Sequence, residues 1–278
     1  MIRRFWLFHY AYLRVPQAAI TAGGSWKPVR VPILGALAVH SRRGPVLLDV
    51  PYGREGPSNL GAVLGSVLEG VAMTFDENWS VVARLEQFGF RAADVDDVLM
   101  THLHLDHTGG MKTLPHATFH VSAREWEHAA EGTDAQARLR GYIRDDFITL
   151  DRRVHRYQRV PHLADHRRGL DVFGDGSVEM FALPGHTPGH CGYRLHLTEG
   201  SAVFFAGDVA GSLPQLFGEE APGVIPRMLL GSGNASEISQ RAVRDHLDAN
   251  PGDIPLVCHD PGLGQRCIDD GPIRWDGA

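Results

Sequence analysis

The stretch His102-x-His104-x-Asp106-His107 gathers three imidazoles and one carboxylate within six residues. His102 and His104 are two residues apart, so on an extended segment they point to the same side. Asp106 and His107 fall in the turn that follows and, being adjacent, diverge. The pattern suits two neighbouring cations better than one. Four polar groups converging on a strand-to-loop junction must be solvated, paired or ligated, and no packing rationale accounts for them. Further along, Pro184-Gly-His186-Thr-Pro-Gly-His190 holds a histidine in a turn stiffened by two prolines and two glycines. Gly207-Asp208 supplies a carboxylate, and Val257-Cys258-His259 a last imidazole. A lone histidine or a lone Gly-Asp is usually structural; four such features in one chain are a candidate metal centre. Nitrogen and carboxylate oxygen without thiolate suit zinc, with iron or manganese as alternatives. Cys258 is expected to point away from His259.

The elements that must position these groups can be read from pattern. Val31 to Val39 and Pro45 to Val50 form a hairpin around Ser41-Arg-Arg-Gly44. Gly53 to Gly70 is expected to be irregular. Trp79, Val82, Leu85 and Phe88 recur at three-residue spacing in a helix over Asp76 to Phe88, closed by Gly89. Val95 to Met100 is a buried strand feeding His102, and a strand over Ala117 to Val121 follows it. A helix over Ser122 to Ala130 then begins with Ser122 and Glu125 as a capping box. Leu170 to Leu183 and Gly192 to Leu197 read as antiparallel strands with the turn Gly174-Asp-Gly176, and Ala202 to Ala206 as a buried strand ending at Asp208. Ser236 to Asp248 is helical, and Ile254 to Val257 is a strand ending at His259. The candidate ligands therefore sit at or just beyond strand ends, where α/β folds build their sites.

The chain has 278 residues, 43% of them hydrophobic and 22% charged, which allows a large core and rules out disorder and coiled coil. One domain over residues 1–278 is expected. A net charge of −6 disfavours general attraction to nucleic acid or anionic lipid. The 25 arginines and two lysines carry no chemical message, but Arg138 to Arg168 hold nine Arg against four Asp. As a phosphate-binding arm that segment would favour a nuclease; a solvated helical face partnered by Asp145, Asp146 and Asp151 is the preferred reading. Cys191, Cys258 and Cys267 make no disulfide framework and fit a reducing, cytoplasmic setting. The opening Met1-Ile-Arg-Arg-Phe-Trp-Leu-Phe superficially resembles an export signal, but His9 and Arg14 interrupt its apolar run and an opening strand is expected instead. No stretch approaches the roughly 18 apolar residues of a membrane span.

On these motifs the chain resembles the metallo-β-lactamase fold superfamily, whose His-x-His-x-Asp-His signature it matches completely, with the later motifs in the same order from about Val31 to Asp260. The resemblance implies a four-layered α/β sandwich, two mixed β-sheets flanked by helices. It also implies a dinuclear hydrolase with His102, His104 and His186 on one metal, Asp106, His107 and His259 on the other, and Asp208 bridging. Asp106 would shuttle a proton to the leaving group. His190 resembles a position that is generally not a ligand, and Asp49 would support the site from behind, in an Asp49-Val-Pro turn where the family has Asp-x-Gly.

Only 19 residues follow His259, too few for the helical substrate domain of glyoxalase II or for a flavodoxin module. The N-terminal part and Cys258-His-Asp-Pro261 are similar to the N-acyl homoserine lactonase group. That similarity implies a small-molecule lactone or ester with an apolar part, for which Phe5, Trp6, Phe8 and the Leu213 to Leu230 loop, with Leu216, Phe217, Ile225 and Met228, are pocket candidates. One departure is Gly211, where that group carries a Tyr that polarises the substrate carbonyl. A thioester hydrolase, a phosphodiesterase or nuclease, and a diiron oxidoreductase are the alternatives on the same ligands. The oligomeric state, monomer or homodimer, is left open.

Overall fold

The computed structural model describes residues 1–56, 72–198, 200–229 and 233–276. Two sheets lie face to face. The first joins β1 (Ile2–Pro16), β2 (Pro28–His40), β3 (Gly44–Leu48), β4 (Ala72–Phe75), β5 (Asp97–Leu99), β6 (Thr118–Ser122), β7 (Val154–Tyr157) and the late strand β13 (Ile273–Asp276). Its order is β13-β1-β2-β3-β5-β6-β7, with β4 pairing with β1. The β1 to β3 meander is antiparallel, and β3, β5 and β6 pair parallel. The second sheet has the order β12-β11-β10-β9-β8, built from β8 (Leu170–Asp171), β9 (Val178–Ala182), β10 (Cys191–His196), β11 (Ala202–Phe205) and β12 (Asp253–Leu256). Both sheets are mixed, as expected.

Side-chain alternation on β1 sets the layers. Phe5 and Leu7 face the second sheet and pack with Leu34 and Ala36 of β2 and with Met180, Tyr193 and Phe205. Trp6, Phe8 and Tyr10 point the other way and pack with Val81, Leu85 and Phe88. Both faces of the strand are thus buried, the condition that produces a continuous apolar run rather than alternation. On the far side of the second sheet, Phe181, Phe204 and Val257 pack with Ala242, Val243 and Leu247 of the helix Asn234–Ala249. The four layers are helix, sheet, sheet, helix.

Several expectations change in detail. The helix expected over Asp76 to Phe88 is a 3-10 turn at Glu77–Trp79, then a helix over Val81–Gln87. Ser80 caps that helix by accepting from the Ala83 amide, and Val81 rather than Val82 starts the buried stripe. The turn expected at Gly174-Asp-Gly176 is present, joining antiparallel β8 and β9 with both glycines at positive φ. Phe5, Trp6 and Phe8 are core residues, not pocket walls, because β1 is paired on both edges and covered on both faces. The Leu213 to Leu230 loop contains the helices Leu213–Leu216 and Val224–Leu229, with Leu216 buried and Phe217 exposed. The Met228 side chain and most of Gly53 to Gly70 lie outside what is described. No helix among the described residues is long and apolar enough to cross a membrane.

Candidate metal centre

The strand ends of both sheets meet at one point. His102 follows β5; His104 precedes the short helix Leu105–Thr108, which carries Asp106 and His107. His186 lies in the β9 to β10 loop, Asp208 follows β11 and His259 follows β12. All seven predicted residues come together. His186 Nε2 lies 2.8 Å from His104 Nδ1 and 3.0 Å from His102 Nε2. Asp208 Oδ2 lies 3.4 Å from His186 Nε2, 3.5 Å from His107 Nε2 and 3.0 Å from His259 Nε2. Asp106 closes the group, with Oδ2 3.5 Å from His259 Nε2. Asp208 sits between the two sets.

Neighbouring groups decide which ring nitrogens face inward. Asp49 Oδ2 accepts from His107 Nδ1 at 2.8 Å and from the Thr101 hydroxyl at 2.8 Å. With its proton committed there, the Thr101 oxygen accepts from His102 Nδ1 at 3.0 Å. His259 Nδ1 donates to the Pro32 carbonyl at 2.9 Å. In the neutral ring each of these bonds puts the proton on Nδ1 and leaves Nε2 as an acceptor, the state a metal ligand needs. Asp49 pays for its reach with a left-handed backbone, φ 52°, a conformation a non-glycine residue adopts at a cost of order 1 kcal/mol.

Electrostatics divide the site. Burial, followed by the charges of neighbouring histidines, drives His102 and His104 well below their usual range. Burial also holds His186 down to about 3. At His259 burial opposes protonation, but the charge and hydrogen bond of Asp208, with Asp106, raise it to about 9. His107 is raised by Asp208, Asp49 and Asp106 against the same burial. Asp208 stays ionised despite complete burial because His259 and His107 stabilise its charge.

A cation fits this donor set. The inward nitrogens of His102 and His104 both crowd within 3.0 Å of His186 Nε2, and buried His107 Nε2 and Asp208 Oδ1 have no hydrogen-bond partner. Buried groups of this kind call for a ligand. Two of the clusters able to hold an ion are His102, His104, His186 and Asp106, His107, His259.

Residues 70–259 match the family described as the metallo-beta-lactamase superfamily. The chain belongs to that superfamily. Among its relatives is the N-acyl homoserine lactonase AttM of Azorhizobium caulinodans, 31% identical over 202 residues, covering 73% of this chain and 74% of that one. The probable metallo-hydrolase Rv2300c of Mycobacterium tuberculosis is 31% identical over 249 residues, covering 84% and 76%. In fold, the chain is similar to an N-acyl homoserine lactone hydrolase solved with N-hexanoyl-L-homoserine at its catalytic metal centre, at TM-score 0.74 and 17% identity over 96% of this chain and 97% of that one. It is also similar to AidC, a dizinc quorum-quenching lactonase, at TM-score 0.63 and 15% identity over 94% and 88%.

Around this superfamily centre the structure adds what the sequence reading lacked. His190 uses both nitrogens, Nδ1 donating to the Leu183 carbonyl and Nε2 accepting from the Asp208 amide, and so steadies the Asp208 turn. Cys258 lies beneath the site, its sulfur 3.9 Å from Asp49 Oδ2, in a buried group with Asp49 and His107. Glu125 is no capping partner: Ser122 makes no side-chain cap, and the Glu125 carboxylate turns inward to the ligand loops. A helix-start Ser-x-x-Glu pattern is identical in the two cases, so only tertiary contacts distinguish them. At Gly211 a side chain would meet Gln215 Oε1 at 2.8 Å. Tyr142 packs its ring 4.8 Å from that of His104, yet donates its hydroxyl to Glu125 rather than presenting it to a substrate. In the Arg138 to Arg168 segment, Arg144 donates to the Gly132 carbonyl and pairs with Asp134 at 3.2 Å, while Arg156 pairs with Asp151 and stacks over Trp126. Those arginines are engaged locally, which weakens the phosphate-arm reading.

Proposed function

We propose that the chain is a dinuclear metal hydrolase that opens a lactone bearing an apolar part, as its AttM relative's name describes for N-acyl homoserine lactones. The observation that carries this reading is the convergence of two nitrogen-rich ligand sets on one shared carboxylate, Asp208, with ring tautomers fixed from behind. On this reading His102, His104 and His186 would hold one zinc ion and Asp106, His107 and His259 a second, with the Asp208 carboxylate available to both. Bound zinc supplies Lewis-acid chemistry, lowering the pKa of water toward neutrality and polarising an ester carbonyl. The protein supplies orientation. Asp49 and the Pro32 carbonyl keep Nε2 of His107 and His259 unprotonated and aimed inward once cations occupy the site.

Asp106 holds the proton traffic. Its carboxylate is partly exposed and lies beside His259, so it can take a proton from attacking water and return it to the departing alkoxide of the opened ring. With glycine at 211 and the Tyr142 hydroxyl committed to Glu125, carbonyl polarisation falls to the metal centre itself.

The test is a panel of lactones, thioesters and phosphodiesters given to zinc-loaded enzyme and to Asp106→Asn. Lactone turnover in the wild type, reduced in the variant by roughly 100-fold or more while the fold is kept, is the expected result. A fully loaded enzyme inert on lactones, or a variant with wild-type rates, contradicts the proposal.

A further inference from the structure

Glu125 is fully buried, carries no role in the chemistry above, and makes a pattern of bonds that a structural carboxylate has little reason to make. Oε1 accepts from the Leu103 amide at 3.0 Å and from the Tyr142 hydroxyl at 3.2 Å, and Oε2 accepts from the Thr187 hydroxyl at 2.5 Å. Leu103 sits between His102 and His104, Thr187 follows His186, and Tyr142 packs on the His104 ring. One carboxylate therefore grips both segments that deliver the three-histidine set, together with the tyrosine that packs on the His104 ring.

The grip is reinforced by close packing. Gly189 lies so near the start of the helix Ala123–Ala130 that a Cβ there would fall on the Glu125 backbone. Gly141 approaches the His104 ring, where a Cβ would lie 3.1 Å from Cδ2, and its carbonyl accepts from the Leu105 amide at 3.0 Å. None of these contacts reaches Asp106, His107 or His259. His107 is held by Asp49 and His259 by the Pro32 carbonyl, and Asp49 also steadies His102 through Thr101. The two supporting carboxylates thus differ: Asp49 serves both ligand sets, Glu125 serves one.

We infer that Glu125 is a positioning residue for the three-histidine set alone, making the affinities of the two metal positions separable by one substitution outside the ligands. The inference rests on the dinuclear reading above. An outer-shell partner of metal ligands is typically worth roughly 10- to 100-fold in affinity.

The experiment is titration of metal-free protein with zinc against a chromophoric chelator, and with cobalt read by its visible spectrum. In Glu125→Ala one equivalent should bind as in wild type and the other at least about 10-fold more weakly. The cobalt spectrum of the one-equivalent form should match that of His186→Ala, which lacks a ligand of the same set, and not that of His259→Ala. Glu125→Gln keeps an acceptor for Leu103 and Tyr142 and can donate to the Thr187 oxygen, so it should restore binding to within a few-fold of wild type. Unchanged affinities in Glu125→Ala, equal weakening of both equivalents, or a spectrum matching His259→Ala would each overturn the inference. Should Glu125→Ala fail to fold, Thr187→Val removes one bond of the same grip and is expected to shift the same equivalent; an unchanged titration there overturns it equally. Wild-type protein that fails to take up two equivalents would instead overturn the dinuclear reading, and this inference with it.

Discussion

Histidine does opposite things in different parts of this molecule, and the surroundings of each ring decide which. His9 on β1 is buried against Trp79, its ring centroid 4.6 Å away, and neither ring nitrogen has a hydrogen-bond partner. Burial first, and the Arg84 charge second, depress it to about 4. The unfolded chain takes up that proton near pH 6.5 and the folded chain only near 4, so between these values the unfolded state carries more protons. Stability must then fall as the pH drops through that window, by about 2 kcal/mol between about pH 6.5 and about pH 5. Urea unfolding of wild type and His9→Leu at both pH values should show a smaller pH effect in the variant by about this amount; parallel behaviour would show that His9 contributes nothing. His259 has the opposite sign because Asp208 and Asp106 face it. Residue type and spacing made the candidate ligand histidines legible, since three imidazoles and a carboxylate in six residues have few other uses. His9, His190 and Glu125 were not legible, because burial and partner are properties of the fold and not of the local pattern.

At the level of elements, the strands that end in ligands are the ones whose signals were strong. β5, β11 and β12 are short apolar runs bounded by polar residues, and each delivers its ligand just past its end. The turn His186 to His190 is the opposite case, a loop with no periodicity whose position depends on close contact with the helix Ala123–Ala130. Gly189→Ala tests that contact. The added methyl would strike backbone, which cannot rotate away, so the loop must lift. A loss of about 1–3 kcal/mol in thermal stability is expected, with weaker zinc binding measured in the same sample. Gly174→Ala is the comparison: it has positive φ, 71°, but no atom within 4 Å of the added carbon, so backbone strain alone should appear and zinc affinity should not move.

The whole molecule works as two stacked sheets whose ligand-bearing strand ends converge, the first giving His102 to His107 and the second His186, Asp208 and His259. Stacking was legible from the order of elements, whereas the pairing of β1 with both β2 and the late strand β13 was not. Long-range pairing leaves no local signature, and a strand buried on both faces looks much like any apolar run. Because the candidate ligands arrive from both sheets, an ion bound there would couple its occupancy to the packing of the sandwich, since a ligand that binds only the folded state stabilises it by mass action. Catalysis and metal loading should rise together. The most direct measurement is the rate of lactone ring opening as zinc is returned to metal-free protein. Negligible turnover without metal and a rate that saturates at two zinc ions per chain are expected. Full activity in the metal-free protein, or saturation at a single ion, would contradict the dinuclear reading.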